Sequence, residues 1–359
     1  MSRNHRATHQ ELADQLWLHA ARQLDIRVVR SADAYASWDG QGTLTLASDE
    51  FLDPDDCLAQ MLLHEICHLL VSGEEARGKP DWGLDNTSPK DLVYEYATNR
   101  LQAALSGAYG LRQFMGVTTM WRPYYDALPR DPLQPQDPDP AVVLARTGLA
   151  LARRSPYREV LHEALSGTAA LAAELRPAVY DDSLWQLVPG KHPTGFHNHV
   201  NKGYTCGSCA WAITRKDKRI ACRMTRQGCR PSNYCLGQDT DVQEVKRLDA
   251  AQSACEFFEQ VFDDQECPSC GACCRQGFDV VEVAANERFA QVHPDLIEVR
   301  EAGRQVVPRP QGRCIALQGT GTSDAPWLCR HYADRPQACR AFAVAGDACL
   351  VARQRVNIS

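Results

Sequence analysis

The placement of cysteine is the feature that most restricts how this chain can fold. The 359 residues include sixteen cysteines, and only Cys57 and Cys67 precede residue 200. The others follow it, closely enough spaced to serve as ligands or cross-links. We therefore expect an N-terminal part that folds around an ordinary apolar core, and after it irregular cysteine-rich modules that are stabilised by metal.

The N-terminus has no signal-peptide core and opens directly into a polar amphipathic stretch. No run approaches the roughly 18–20 apolar residues that a membrane span needs. We therefore expect a cytoplasmic protein with no membrane contact, and in a reducing compartment cysteine pairs favour metal ligation over disulfides. The formal net charge is -6 and Lys and Arg are spread along the chain, so we expect no nucleic-acid partner.

The segment 64–68, HEICH, is the clearest catalytic motif. It places His64 and His68 at i and i+4 on one face of a predicted helix, with Cβ atoms about 5–6 Å apart. Both imidazoles can then reach one ion at about 2.0–2.1 Å. Glu65 lies beside them, where it can act as the base for a metal-bound water. Cys67 faces away from the histidines and is predicted to lie in the core.

A third ligand is expected from a neighbouring helix. Glu95 is the best candidate, and Asp81 and Asp85 in the connecting loop are the alternatives. Two histidines and one carboxylate suit zinc with an open water position, and they equally suit ferrous iron that activates oxygen. The competing interpretation is that His64 and His68 are hydrogen-bonded core residues and that Glu95 lies on a solvated face.

Periodicity and capping signals predict helices near 8–23, 53–72, 88–105, 141–153 and 157–176, with strands at 26–30 and 43–47. Asp53 and Ser88 are the predicted N-caps of the second and third helices. The predicted fold class is α+β, with a zincin-like, mostly helical N-terminal domain that carries a small sheet. The predicted domains are an HExxH metal-site domain at 1–185, a first cysteine-rich module at 186–262 and a cysteine-cluster domain at 263–359.

The residues around the motif extend it into a longer pattern. The run LHEICH at 63–68 is followed by Val71, Gly73, Ala76-Arg77 and Asp81-Trp82-Gly83. Over roughly 40–105 this pattern resembles the elongation factor P hydroxylase family. The resemblance implies that His64, His68 and Glu95 are iron ligands and that the activity is the hydroxylation of a protein side chain.

Eight cysteines near the C-terminus form a dense and specific pattern. They are Cys267, Cys270, Cys273, Cys274, Cys314, Cys329, Cys339 and Cys349. Together with Arg335-Pro336 and the run 339–342, they resemble the YkgJ-like cysteine-cluster family over about 265–353. The resemblance implies chelation of zinc or iron, the latter often as an iron–sulfur cluster.

Eight thiolates can fill two four-coordinate sites, or one cluster with spare ligands. Arg275, Arg330 and Arg340 stand beside cysteines and would lower their pKa values. The alternative is a set of buried cysteines without metal.

A first cysteine module precedes this pattern. It contains Cys206-x-x-Cys209, Cys222, Cys229, Cys235 and Cys255. The preferred ligand quartet, for zinc or a small iron–sulfur cluster, is Cys206, Cys209, Cys235 and Cys255, and Cys222 is the main competitor. His197 and His199 could join the site. A purely structural zinc knuckle is the alternative.

Three functions are consistent with this sequence. The first is an iron-dependent oxidative enzyme that modifies a protein or peptide, with the cysteine modules passing electrons or docking the substrate. The second is a zinc hydrolase or peptidase with Glu65 as general base and a zinc-stabilised C-terminal domain. The third is a metal-handling factor without catalytic activity.

Overall fold

The computed structural model describes residues 11–85, 89–134, 139–199, 203–226, 234, 236–237, 247–275, 277–278, 280–356 and 358. The chain divides into two compact units, one of residues 1–190 with 230–241 and one of residues 191–229 with 242–359. The predicted division into three domains at 185 and 262 stays a prediction. None of the helices in the described ranges is both long enough and apolar enough to cross a membrane.

The first unit is mostly helical. Its α-helices are α1 (Leu12–Gln23), α2 (Leu58–Ser72), α3 (Leu92–Gly107), α4 (Arg122–Ala127), α5 (Ala141–Ala152) and α6 (Tyr157–Leu175). Its strands are β1 (Arg27–Ser31), β2 (Ala36–Trp38) and β3 (Thr43–Ala47). The strands form one sheet in the order β1-β3-β2, in which β1 runs parallel and β2 antiparallel to β3. Helices with small sheets confirm the predicted α+β class.

Helix α2 lies at the centre of this unit because apolar side chains surround it on nearly every side. Leu62, Leu63, Ile66 and Leu70 are fully buried, and α2 packs against α1, α3 and α5. Close approach of α5 depends on Gly148, where a Cβ would come within 3.2 Å of the Leu70 carbonyl oxygen. The HExxH segment is therefore held inside a large apolar core.

Two predicted helix starts differ from the structure. Helix α2 begins at Leu58, later than predicted. The Asp53 N–H donates to Asp56 Oδ2, and the Asp53 carbonyl accepts from the Asp56 N–H, so residues 53–56 form a closed turn where the helix was expected. The N-cap is Cys57, whose Sγ accepts from the Gln60 N–H at 3.4 Å. Helix α3 begins at Leu92 after a 3-10 turn, and the predicted N-cap Ser88 lies outside the described residues.

The second unit is built from short elements. Its strands are β4 (Ala212–Thr214), β5 (Ile220–Cys222), β6 (Val281–Glu282), β7 (Glu298–Val299), β8 (Gln305–Val307), β9 (Leu317–Gln318) and β10 (Leu328–Cys329). Its helices are α7 (Cys267–Cys270), α8 (Arg288–Val292), α9 (Gln337–Arg340) and α10 (Asp347–Arg355). The sheets are the pairs β4–β5 and β9–β10 and the triplet β6-β8-β7.

Two small cores hold this unit together. One contains Phe196, Trp211, Met224 and Leu350, so α10 packs into the core of the first cysteine module. The other contains Val283, Phe289, Leu296 and Val307. Because both are small, the apolar burial that stabilises this unit is far less than in the first unit.

Candidate metal centre

The structure brings His64, His68 and Glu95 together. One helical turn on α2 separates the two imidazoles, and their Nε2 atoms lie 3.1 Å apart. From α3, Glu95 places Oε1 at 3.5 Å from His64 Nε2 and Oε2 at 3.2 Å from His68 Nε2. Donor atoms from all three side chains lie within 4.8 Å of one another. The arrangement matches the three predicted ligands, whose role as ligands stays a prediction.

Gln102 fixes the orientation of His64. Its Nε2 donates to the Met115 carbonyl at 2.7 Å, which leaves Oε1 as the acceptor 2.8 Å from His64 Nδ1. The Nδ1 atom therefore carries the proton, and the Nε2 lone pair faces His68 and Glu95. Partners of this kind behind a histidine ligand are typical of metal sites.

His68 and Glu95 are held by two more side chains of α3. Thr98 Oγ1 lies 3.2 Å from His68 Nδ1, and Asn99 Nδ2 donates to Glu95 Oε1 at 3.0 Å. Thr98 and Asn99 are fully buried. Their hydrogen bonds leave His68 Nε2 and the second oxygen of Glu95 directed at the same point.

The electrostatics of this trio call for a cation. Burial alone would raise the pKa of Glu95, but the adjacent His68 and His64 and two hydrogen bonds lower it to about 2. Burial would lower the pKa of His68, yet the charge of Glu95 raises it. A carboxylate and imidazole nitrogens that face one another without a donor between them repel unless a proton or a metal ion neutralises them. The donor set therefore fits a divalent metal.

Glu65 is held beside the trio from the opposite direction. Trp82 Nε1 donates to Glu65 Oε2 at 3.0 Å, and the Trp82 ring stacks on Trp38 with centroids 4.3 Å apart. Asp81 and Trp82 have φ values of 46° and 57°, so the Asp-Trp-Gly turn is left-handed and aims the indole inward. The predicted general base thus has a fixed carboxylate.

The alternative third ligands lie elsewhere. Asp81 Oδ1 accepts from Ser37 Oγ and from the Trp38 N–H, both at 3.1 Å, and so ties the turn to β2. Asp85 lines the cavity next to the trio but is not part of it. Cys67 is fully buried in the core, as predicted, and its burial raises the pKa of the thiol.

A cavity of about 350 Å³ opens onto the three side chains. Its wall combines apolar, aromatic and acidic residues. Beyond the trio and Glu65, it is lined by Tyr35, Ala36, Gln60, Met61, Leu84, Asp85, Asp91, Leu92, Val117, Thr119, Met120 and Trp121. No Lys or Arg of the described residues belongs to this lining, so the cavity has an acidic character.

The C-terminal cysteines group around Cys274. Cys273 and Cys274 have their sulfurs 3.8 Å apart. The pKa of Cys274 is lowered to about 7, mainly by the hydrogen bond from Cys273 and also by Arg309 and Arg335, against the effect of burial. Burial raises the pKa values of the Cys314 and Cys339 thiols, and the nearby charge of Cys274 raises them too.

A second set of thiols lies around Cys267. Burial raises the pKa of Cys267, and Cys349 and Cys270 are its next strongest influences. The pKa of Cys349 is likewise raised by burial, with Cys270 as the neighbouring thiol. The eight cysteines therefore lie in one region of the second unit.

The arginines that accompany these thiols differ from those expected. Arg330 is close enough to Cys314 to lower its pKa, as predicted. Arg275 instead donates to the Cys270 carbonyl at 3.1 Å, and Arg340 lies against Gln337 Oε1 at 3.4 Å. Arg309, which sequence reasoning missed, reaches the thiols from a loop more than thirty residues away from Cys274 in the chain.

The structure describes three of the four cysteines in the predicted quartet of the first cysteine module. Cys206, Cys209 and Cys255 lie together, with Cys222 beside them. Cys235 lies outside the described residues. Of the predicted histidines, His197 pairs with Glu256 at 3.2 Å and His199 packs on Tyr204.

Among the cysteines that the structure describes, no three thiols of either module approach one another as closely as the N-terminal trio does. Across the described residues, that trio is the one group of three or more His, Cys, Asp or Glu whose donor atoms all lie within 4.8 Å of one another.

Residues 266–356 match the CxxCxxCC family, which carries the description "Putative zinc- or iron-chelating domain". The match includes all eight C-terminal cysteines and supports a metal-binding role for that part of the chain. No curated protein and no solved structure matches the chain.

Proposed function

We propose that the chain is a metal-dependent enzyme that uses His64, His68 and Glu95 to hold ferrous iron and hydroxylates a side chain of a protein or peptide. One observation carries this proposal: two imidazole Nε2 atoms and a carboxylate converge, each held from behind, at the wall of an open cavity. Two histidines and one carboxylate leave coordination positions free, which is the ligand set of non-heme iron oxygenases.

A ferrous ion held by these side chains would supply the activation of oxygen. The chain's own residues orient the ligands and handle the proton. Gln102 accepts from His64 Nδ1, so that the Nε2 lone pair faces the metal position. Glu65 has Oε2 engaged by Trp82, which leaves Oε1 to accept a proton from the substrate or return one to it.

The cavity favours a basic side chain as substrate. Asp85 and Asp91 belong to its wall together with Trp121 and Tyr35. A volume of about 350 Å³ is at the small end of ligand pockets, large enough for one extended side chain. Acidic and aromatic walls attract an ammonium or guanidinium group.

In this proposal, the C-terminal domain supports the reaction at the N-terminal site. Thiolates there hold zinc or iron, and an iron–sulfur cluster would make the domain an electron donor to the N-terminal site. A zinc-loaded domain would instead dock the protein substrate. A cytoplasmic location would keep these thiols reduced.

The test begins with protein purified without oxygen, on which iron, zinc and acid-labile sulfide are measured. Ferrous iron is then added in air with a pool of basic peptides and a chemical reductant, which supplies the two electrons that reduce the second oxygen atom to water. Oxygen uptake and peptide mass are followed. We expect oxygen consumption and peptides heavier by one oxygen atom. Glu95→Gln should abolish both, whereas the matched control Glu75→Gln, at an exposed position, should keep both. Iron binding and turnover at the wild-type level in Glu95→Gln would overturn the proposal.

A zinc hydrolase is the second candidate, because the fixed Glu65 carboxylate lies where a general base for a zinc-bound water would be. Glu65→Gln separates the two candidates. A hydrolase would lose peptide cleavage while retaining its metal. The proposed hydroxylase would cleave no peptide with or without Glu65, and in the variant it would keep its iron and consume oxygen more slowly.

A further inference from the structure

Four thiols lie close together outside the matched family domain. Cys206, Cys222 and Cys255 are buried in one small core, and Cys209 packs against it. In the pairing of β4 with β5, Ala212 lies opposite Cys222. Because Ala212 follows Cys209 by three residues, this pairing brings the Cys206–Cys209 pair close to Cys222. The charges of Cys222 and Cys209 both act on Cys255, so the sulfurs are electrostatic neighbours.

Backbone N–H groups near two of these sulfurs favour their charged form. Burial raises the pKa values of Cys209 and Cys255, and the N–H groups of Glu259 and Trp211 near Cys209 and of Phe257 near Cys255 offset part of that effect. An N–H group two residues after the cysteine acts in the same way on Cys314 and Cys329 of the C-terminal cysteine pattern, where it belongs to Ala316 and His331. Such N–H···S bonds favour the thiolate, which is the form that binds metal.

His192 gives a third sulfur the same support. The Thr194 N–H donates to His192 Nδ1 at 3.2 Å, and a backbone N–H can only donate. Thr194 Oγ1 lies 2.6 Å from the same Nδ1 and can also donate to it. We infer that the imidazole proton is on Nε2, which lies 3.2 Å from Cys206 Sγ. Burial raises the pKa of Cys206 to about 12, and a hydrogen bond from the buried His192 would offset part of the cost of a thiolate there.

We propose that Cys206, Cys209, Cys222 and Cys255 form a separate four-thiolate metal centre, for one zinc ion or one iron–sulfur cluster, with His192 as a hydrogen-bond donor to Cys206. Cys222 takes the place that the sequence assigned to Cys235. Residues outside the CxxCxxCC match supply all four ligands, and none of them belongs to the His64–His68–Glu95 site.

The sulfurs must draw together to hold a single ion. Four thiolates at about 2.3 Å from zinc lie roughly 3.8 Å from one another, and no three of these sulfurs lie within 4.8 Å of one another. We expect the side chains to close this gap by rotating when metal binds. A cluster requires less closure, because its irons and sulfides stand between the thiolates.

Peptide-resolved alkylation of the full-length chain tests the centre directly. Protein stripped by a chelator and protein reloaded anaerobically, with zinc or with ferrous iron and sulfide, are each treated with iodoacetamide. We expect the four thiols to lose reactivity together, by at least about tenfold, on reloading. A visible absorption band with sulfide identifies a cluster, and a colourless protein identifies zinc. The proposal would be overturned if the reactivity of Cys222 were the same before and after reloading.

Variants assign the fourth ligand. Cys222→Ser should remove one zinc, or the iron of one cluster, per chain and expose the other three thiols to alkylation. The matched control Cys235→Ser should leave both readouts unchanged, and the reverse result would overturn the role of Cys222. The N-terminal and C-terminal sites keep their metal in either case, so the result is independent of the proposed function.

The positioning role of His192 has its own readout, which holds even if Cys222→Ser does not fold. His192→Phe should weaken metal retention at this centre by about tenfold in competition with a chelator, whereas His192→Gln, which keeps a donor, should recover most of it. Equal retention in both variants and the wild type would show that His192 does not support the centre.

Discussion

The two units of the chain place their candidate ligands on very different supports. In the first, His64, His68 and Glu95 extend from α2 and α3, which belong to a large apolar core. In the second, cysteines lie on short strands and single turns around two small cores. A large core forms without metal, whereas small cores need cross-links or ligands to outweigh chain entropy. We therefore expect the first unit to fold without metal and the second unit to need metal in order to fold.

Removal of all metal should produce the largest difference between the two units. A chelator should unfold the second unit, because apparent metal-binding free energies of structural zinc sites reach about 10–16 kcal/mol. The first unit should stay folded. Hydrogen exchange resolved by peptide is the measurement, with fast exchange expected in 205–225 and continued protection in 61–71. Equal protection of both segments after chelation would remove the distinction between the units.

Loss of a single N-terminal ligand should abolish binding without unfolding. His68→Ala removes one of two imidazoles at the trio, and we expect the affinity for divalent metal there to fall by more than about 100-fold. The melting transition of the first unit should remain cooperative. Calorimetric titration and thermal unfolding measure the two effects, with the exposed His19→Ala as control. Unfolding of the first unit in His68→Ala would contradict the idea that its core suffices.

A smaller effect is expected behind the ligands. Gln102→Leu keeps the volume at a buried position but frees the proton of His64 Nδ1, so that Nε2 is no longer fixed as the lone-pair face. Metal affinity should fall by about 10- to 100-fold. The exposed Gln23→Leu, on α1, serves as the control. An unchanged affinity would mean that the α2–α3 packing alone orients His64.

The smallest effect concerns stability and pH. Burial, reinforced by Glu11, raises the pKa of Asp14 to about 6, although its Oδ1 accepts from the Ala59 N–H at the start of α2. The folded state therefore holds this proton more tightly than the unfolded state does. The contribution is fully present below pH 3.8 and is lost as pH rises through about 6.

Asp14→Asn should accordingly stabilise the first unit at pH 7, by about 1 kcal/mol after allowance for solvent screening. Urea unfolding at pH 5 and pH 7 measures this gain, which should shrink at the lower pH. Asp33→Asn, at an exposed position, is the control. A gain that is the same at both pH values would contradict the assignment to Asp14.

The sequence allowed the main lines of the first unit to be predicted because they depend on local spacing. The i, i+4 histidines, the apolar surroundings of α2 and the position of Glu95 on the next helix all follow from helical periodicity. Strand β2 and the start of α2 were missed. A turn closed by Asp53 and Asp56 competes with the helix there, and a cap signal alone does not show which of the two prevails.

The residues behind the ligands were missed although a signal existed. Glu95, Thr98 and Gln102 stand at i, i+3 and i+7 on α3 and form a polar stripe together with Asn99 at i+4. Read together with HExxH, that stripe predicts a second row of partners. Trp82 and Arg309 had no such signal, since their contacts depend on loops whose paths no local pattern determines.

Arg353 on α10 has a consequence for how the chain can be cut. Its guanidinium donates to Glu259 at 2.7 Å, and both side chains are almost wholly buried. The boundary of the matched domain falls between them, at residue 266. An excised fragment that begins there would lose Glu259, and Arg353 would keep only the half-exposed Glu266, 3.6 Å away. Leu350 would lose the packing that residues upstream of 266 supply. We therefore expect the smallest piece that folds alone to extend upstream and include residue 259.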